Sequence, residues 1–231
     1  PGSALLLSLL AETPLHPGAG QSTGIVDLPV QRERHTQFPM IPATSIKGSL
    51  REIAERKWSQ SDATLVDLLF GPDVRQGDLF AGAIGFSDAR LLAFPVRSLT
   101  TVFTWVTCPL VLGRLARDVR LAGWANANWD LQSVGDDEIV SAEGGSGTNI
   151  LEDLSFQPRR VAEWGIVAQS LAGFLPAGHA HGIYRAKFAR ELALVSDNQF
   201  HYLAQHATQV TARIKLNSKK TTTGDGGNLW Y

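Results

Sequence analysis

Between Leu79 and Leu112 the chain reads LFAGAIGFSDARLLAFPVRSLTTVFTWVTCPLVL, a series of short apolar runs cut by small and polar residues. A membrane helix does not fit this stretch. Pro95, Arg97 and Pro109 interrupt it, whereas a spanning helix needs roughly 20 predominantly apolar residues in a row. The β-branched and aromatic runs predict two or three strands in the core of a sheet, with RSLT near a turn or bulge.

The flanking sequence supplies helices to cover such a sheet. FPMIPATSIKGSLREIAERKW contains a strong helix start: Pro42 stops extended chain, Thr44 or Ser45 can cap, and Ile46, Leu50, Ile53 and Ala54 recur at helical spacing. A second helix is predicted over about 197–208, DNQFHYLAQHAT, with Asp197 as its candidate cap. Residues 4–14 read as a strand buried on both faces and ending at Pro14. After the second helix come a strand, QVTARIKLN, a glycine-rich loop, TTTGDGG, and an apolar end, NLWY. In the middle, roughly 121–150, Asn, Asp, Ser and Gly crowd together, which reads as an excursion from the core. Strand, helix, strands, helix and strand, with one insertion, is an α+β order. It points to a ferredoxin-like core, an antiparallel sheet with helices on one face.

Composition narrows the classes of function. The chain is 44% apolar and 19% charged, which suits one large domain or two small ones, and its net charge of −1 makes the whole molecule no magnet for nucleic acid. Anion binding has to come from local basic patches, such as Arg32, Arg34, Lys47, Arg51, Arg56 and Lys57, or the runs RLARDVR and YRAKFAR. Each of these also fits a solvated helix face. The single cysteine, Cys108, excludes an internal disulfide and lies in the apolar VTCPLVL, so a structural thiol in a reducing, cytoplasmic compartment is expected. ALLLSLLA lacks the basic flank of a signal segment and fits a buried strand better. No membrane association is expected.

Few stretches can carry chemistry. A capped helix start at PATSIKGSLRE exposes backbone N–H groups and the positive end of the helix dipole, a ready anion site. There Ser45 adds a hydroxyl, Lys47 a charge, and Gly48 room for close approach, with Arg51 one turn on; the same residues also fit plain capping and a surface lysine. Asp27, in GIVDLPVQRER, is a loop carboxylate beside basic residues. It could be an ion-pair partner of Arg32 or Arg34, a metal ligand or a general base. His16 lies across the glycine loop and could supply an imidazole, or simply hydrogen-bond the loop. His179 and His181 in GHAHG have a spacing that could clamp a metal, but no third ligand stands in fixed relation to them. The common hydrolase, zinc and nucleotide-loop motifs do not occur.

Three blocks together resemble a known family. ETPLHPGAGQSTGIVDLPVQRERHTQFPMIPATSIKGSLRE is similar to the start of the RAMP-superfamily backbone subunit of type III-B CRISPR (Cmr) effector complexes. GFSDARLLAFPVRSLTTVFTWVTCPLVLGRLARD resembles its central segment, and LVSDNQFHYLAQHATQVTARIKLN leading into GGNLWY its C-terminal one. They cover well over half the chain in the right order.

The resemblance implies a single RAMP domain over 1–231, a ferredoxin-like (RRM-like) palm with insertions that include a thumb-like projection. The poorly readable insertion around 121–150 and a C-terminus shorter than the family norm are departures from it. It also implies copies stacked along a CRISPR RNA with other Cmr subunits, receiving complementary target single-stranded RNA in antiviral defence. The implied activity is a metal-dependent endoribonuclease, with a divalent ion such as Mg2+, cutting guide-paired target RNA at regular intervals. Asp27 falls on the family's loop aspartate, as catalytic residue and metal ligand, with His16 a candidate to assist proton traffic. Ser45, Lys47, Gly48 and Arg51 fall on the RNA-facing helix start, and Gly226 and Gly227 in TGDGG on a loop placed against RNA. A non-catalytic RNA-binding scaffold of the same complex is the alternative expectation.

Overall fold

A computed structural model describes residues 3–20, 28–58, 62–72, 80–124, 129, 133–142, 147–214 and 229–230. The chain forms two compact units, one of residues 1–15, 34–38 and 91–213, the other of 16–33, 39–90 and 214–231.

The smaller unit is built on two helices. Strand β1 (Met40–Ile41) leads through Pro42 into α1 (Ala43–Trp58), then α2 (Ala63–Phe70), and β2 (Ala89–Arg90) returns antiparallel to β1. Helix α1 is where the sequence places it. Ala54, Val66 and Phe70 form the buried contact between the helices, with Leu50, Trp58, Leu69 and Phe86 around them. Ile53, expected on the apolar face, is instead 53% exposed. Its neighbour Ala54 takes the inward position, one helical step of about 100° away. Helix α2 ends on residues 82–84: Ala83 N–H donates to Leu68 O (2.9 Å) and Ile84 N–H to Leu69 O (3.2 Å). A β-carbon on Gly82 would lie 2.5 Å from Leu69 O, so only glycine lets the chain pass this close.

The larger unit holds the sheet. Its strands are β3 (Phe94–Ser98), β4 (Val102–Thr107), β5 (Glu138–Ser141), β6 (Asn149–Leu151), β7 (Leu154–Arg159) and β8 (Ala193–Leu194), and its helices α3 (Pro109–Leu121), α4 (Trp164–Ala172), α5 (Gly182–Glu191) and α6 (Asp197–His206). The strand order β3-β4-β8-β5-β7-β6 closes on itself through Ser98 and Leu151. Neighbouring residues of a strand point to opposite faces, and the core divides accordingly. Phe94, Val96, Val106, Ile139, Phe156 and Ala193 pack with Phe200, Leu203 and Ala204 of α6. Val140 and Leu194 pack instead with Leu112 of α3, Trp164 and Leu171 of α4 and Phe188 of α5. The mixed α+β order and the β3–β4 hairpin turning at Leu99–Thr101 agree with the sequence, but the expected antiparallel sheet with helices on one face does not: β4–β8 and β5–β7 pair parallel, and α6 packs on one set of strand side chains while α3, α4 and α5 pack on the other. Beyond α6, short strands β9 (Arg213–Ile214) and β10 (Leu229–Trp230) pair.

Two expectations are corrected. Residues 4–14 form no strand: Leu5, Leu7 and Leu9 are 95%, 60% and 53% exposed, while Leu6 rests on α3 and Ser8 Oγ donates to Phe174 O. A sheet closed on itself has no free edge to receive another strand. The 121–150 stretch is not wholly outside the core, because β5 lies in it, with Ile139 and Val140 buried. Two apolar residues in a polar frame are too short a signal for periodicity, and its partners β7 and β8 are distant in sequence.

Candidate functional site

Five of the singled-out residues, His16, Ser45, Lys47, Gly48 and Arg51, are described, and all belong to the smaller unit. Asp27, Gly226 and Gly227 lie outside the described residues. The chain to either side of the Asp27 segment is paired. Ala19 N–H donates to Pro29 O (2.8 Å) and Gln31 N–H to Pro17 O (2.7 Å), with Gly18 and Val30 as bridge partners. The Gln31 side-chain amide adds a bond to Gly18 O (3.2 Å). His16 Nε2 lies 2.8 Å from Leu28 O, the carbonyl of the residue next to Asp27. A carbonyl only accepts, so the ring proton sits on Nε2.

The pairing continues inward. Arg32 bridges to Pro39, Met40 N–H donates to Gln31 O (3.0 Å), and β1 pairs with β2. Antiparallel pairing therefore runs from the base of the Asp27 segment to β1, and α1 starts one residue beyond β1. Burial lowers the pKa of the Arg32 guanidinium beside this ladder.

The start of α1 is capped from a distance. Ala43 N–H donates to Asp88 Oδ1 (2.8 Å), and Ser45 and Ile46 N–H both donate to Pro42 O. The helix thus begins ahead of the expected Thr44 or Ser45 caps, and an acid just before β2 already complements its dipole. Asp88 is the functional-site neighbour that sequence reasoning missed; a cap acting across 45 positions leaves no local signal. Ser45 and Gly48 remain exposed and Lys47 half-buried, and a β-carbon on Gly48 would meet nothing within 4 Å. Arg51 is turned the other way. Its Nε bonds Glu55 (2.7 Å), one terminal nitrogen Gly71 O (2.5 Å) and the other Asp67 (3.1 Å), which braces α1 against α2. The structure thus groups Ser45, Lys47 and Gly48 as the solvent-facing set and separates Arg51 from them.

Among the described residues no group of three or more His, Cys, Asp or Glu could hold a metal ion. His181, one of the GHAHG pair, closes a short 3-10 turn and bonds Glu12 (2.5 Å). A hard divalent ion such as magnesium keeps waters and substrate oxygens as ligands and takes only one or two carboxylates from the protein; Asp27, the carboxylate expected in that role, lies outside the described residues. Burial pushes the Cys108 thiol far up from its usual pKa, so it is a packed structural thiol. No helix among the described residues is long and apolar enough to cross a membrane.

A unit built on a closed α+β sheet and a second unit built on two helices, with an exposed Ser45 and Gly48 at the start of α1, define a class of protein. The chain belongs to the RAMP superfamily, whose model matches residues 8–231. It is 36% identical over 229 residues to the CRISPR system Cmr endoribonuclease Cmr4 of Pyrococcus furiosus, covering 99% of this chain and 76% of that protein. A shorter likeness, 33% over 88 residues, joins it to the Cms endoribonuclease Csm3 of Enterococcus italicus, over 33% of this chain and 41% of that one. The crystal structure of oligomeric Cmr4 from Pyrococcus furiosus superposes with a TM-score of 0.70 at 30% identity, over 86% of this chain and 72% of that one. A type III-B Cmr-beta complex bound to cognate target RNA contains a chain matching with a TM-score of 0.67, over 94% of this chain and 74% of that one; at 18% identity this speaks for the fold alone.

Proposed function

We propose that the chain is a repeating backbone subunit of a type III-B CRISPR ribonucleoprotein, acting in the cytoplasm with other Cmr subunits. It binds CRISPR RNA and cuts complementary target RNA at regular intervals. The observation that carries this reading is the likeness to a Cmr endoribonuclease across 99% of the chain. A net charge of −1 is compatible with holding RNA when copies stack: each contributes a few phosphate contacts and the array multiplies them. Sequence is read by guide pairing, so the protein needs backbone contacts only. Ser45, Lys47 and Gly48 supply these at the start of α1, and the TGDGG loop with Gly226 and Gly227 does the same.

Cutting proceeds by attack of a ribose 2′-OH on the adjacent phosphate. Asp27 takes the hydroxyl proton, the 2′ oxygen bonds to phosphorus, and the bond to the 5′ oxygen breaks. The products are a 2′,3′-cyclic phosphate and a 5′-hydroxyl, whose proton comes from solvent. A magnesium ion held by Asp27 and RNA phosphate oxygens would supply charge neutralisation at the phosphorane.

The test is an assembled complex carrying guide RNA, challenged with complementary RNA with and without magnesium. D27N is expected to bind target and fail to cut it, because guide pairing and the backbone contacts of the stacked copies carry the binding. Cutting by D27N at the wild-type rate would leave a binding scaffold only.

A further inference from the structure

We infer that the exposed face of α3, formed by Gly113, Arg117 and Arg120 with Arg114 beside them, is a second contact for the RNA phosphate backbone, on the larger unit. The inference rests on the reading above that the chain holds RNA, and it adds a surface which that reading does not use.

Val111, Leu112, Ala116 and Val119 turn α3 into the core, which leaves the opposite face to the RLARDVR run. At about 100° per residue, Gly113, Arg117 and Arg120 fall within roughly 60° of one another, and all three are exposed. A solvated helix face accounts for arginines near a helix C-terminus, where they complement the dipole. It does not account for Gly113, in the second turn of a 13-residue helix. Glycine is the poorest helix former after proline, and a β-carbon at Gly113 would meet none of the described residues within 4 Å. Such unused smallness suits close approach by another backbone from outside, and the flanking charges say of what kind. Arg114 is held by His35: its guanidinium donates to His35 Nε2 at 3.1 Å. A guanidinium only donates, so the ring proton sits on Nδ1 of this exposed histidine, a further donor beside Arg114. The acids near the helix are engaged, Asp118 with Arg117 at 2.9 Å and Asp197 with Leu110 N–H at 2.9 Å. A row of guanidiniums over a glycine fits a chain of phosphates, which arginine binds through paired N–H donors.

The probe is a labelled guide RNA, titrated with the full chain at several salt concentrations. R117Q/R120Q is expected to weaken binding about twenty-fold at about 0.1 M salt and to flatten the slope of log K against log salt by about 1.4, the share of two single-strand phosphate contacts. R117K/R120K keeps both charges and should keep the slope. G113A should unfold at a higher urea concentration than wild type yet bind RNA about ten-fold more weakly, because its methyl group holds the RNA off the helix. The inference is overturned if G113A binds as tightly as wild type, if the glutamine pair leaves the slope unchanged, or if that pair alters self-association and not RNA affinity. The last result would make this face, with the exposed Leu110 and Leu121 at its ends, a protein contact. K47A run alongside separates the two readings. A loss in K47A with none in the α3 variants overturns this inference alone, and a wild-type chain without RNA affinity overturns both.

Discussion

Asp197 caps a helix other than the one it begins: its Oδ1 accepts the N–H of Leu110 at 2.9 Å, in the first turn of α3. Its own helix, α6, is capped by Ser196, whose Oγ accepts from Gln199 N–H at 3.1 Å and donates to Asp136 at 2.5 Å. One dipeptide thus ties the starts of two helices together. D197A leaves Leu110 N–H without its acceptor and removes a negative charge from a helix N-terminus. It should lower stability by about 1–2 kcal/mol. D197N keeps an acceptor oxygen and should lose only a few tenths of that. Urea unfolding midpoints of the three proteins measure both effects.

The β3–β4 hairpin contains a residue at odds with its backbone. Val102 has φ of +68° and is 80% exposed, at the point where the three-residue loop rejoins β4 opposite Ser98. Hairpins of this length usually place glycine in that left-handed position, and a β-branched side chain there is strained by about 1–2 kcal/mol. V102G removes the strain, loses little burial, and gives back part of the gain as unfolded-state entropy. A net gain of about 0.5–1 kcal/mol is expected, which is ~2–3 °C in a melting midpoint for a chain of this size. A lowered midpoint would show that Val102 contributes more packing than its exposure implies.

What sequence could and could not convey follows from range. Helix α1 was legible because Pro42 and the spacing of Ile46, Leu50 and Ala54 act within a few turns, and the β3–β4 hairpin because its partners are adjacent. The caps were misread because Asp88 and Asp197 act on helices far away in sequence, and a local reading assigns an acid to the nearest helix. Residues 4–14 were misread because an apolar run says that a strand is affordable, while sheet closure through Ser98 and Leu151 decides whether an edge exists to take it. At the site, the helix start was visible as SIKG. The engagement of Arg51 by Glu55, Asp67 and Gly71 was not, because two of those partners belong to α2 and its end.

Acid should unfold the larger unit partly through Glu138. Its carboxylate accepts Gly135 N–H at 3.0 Å and then Arg159 at 3.0 Å, and these bonds hold its pKa below the usual value of 4.5. A lowered native pKa contributes stability above the unfolded value and loses it as pH falls through the native one. Wild type should therefore weaken progressively below about pH 4.5, whereas E138Q, which cannot titrate, should show a shallower slope there while being less stable near neutrality. Unfolding midpoints at several pH values between ~3 and ~7 give the two slopes. Parallel slopes would assign the acid sensitivity to other carboxylates.

Gly48 offers a test in which stability and binding move in opposite directions. It sits inside α1, where glycine costs about 1 kcal/mol relative to alanine. Nothing among the described residues uses its smallness, since a β-carbon there would meet none of them within 4 Å. If its role is to let an RNA backbone approach beside Ser45 and Lys47, G48A should raise the unfolding free energy by about 0.5–1 kcal/mol while weakening RNA binding by the assembled complex. K47A should weaken the same binding with little change in stability and flatten its salt dependence, since one phosphate contact is lost. Salt titrations of RNA affinity set beside urea unfolding read both quantities. A G48A protein that is more stable and binds RNA as well as wild type would remove the start of α1 from the RNA path, leaving Lys47 a surface charge.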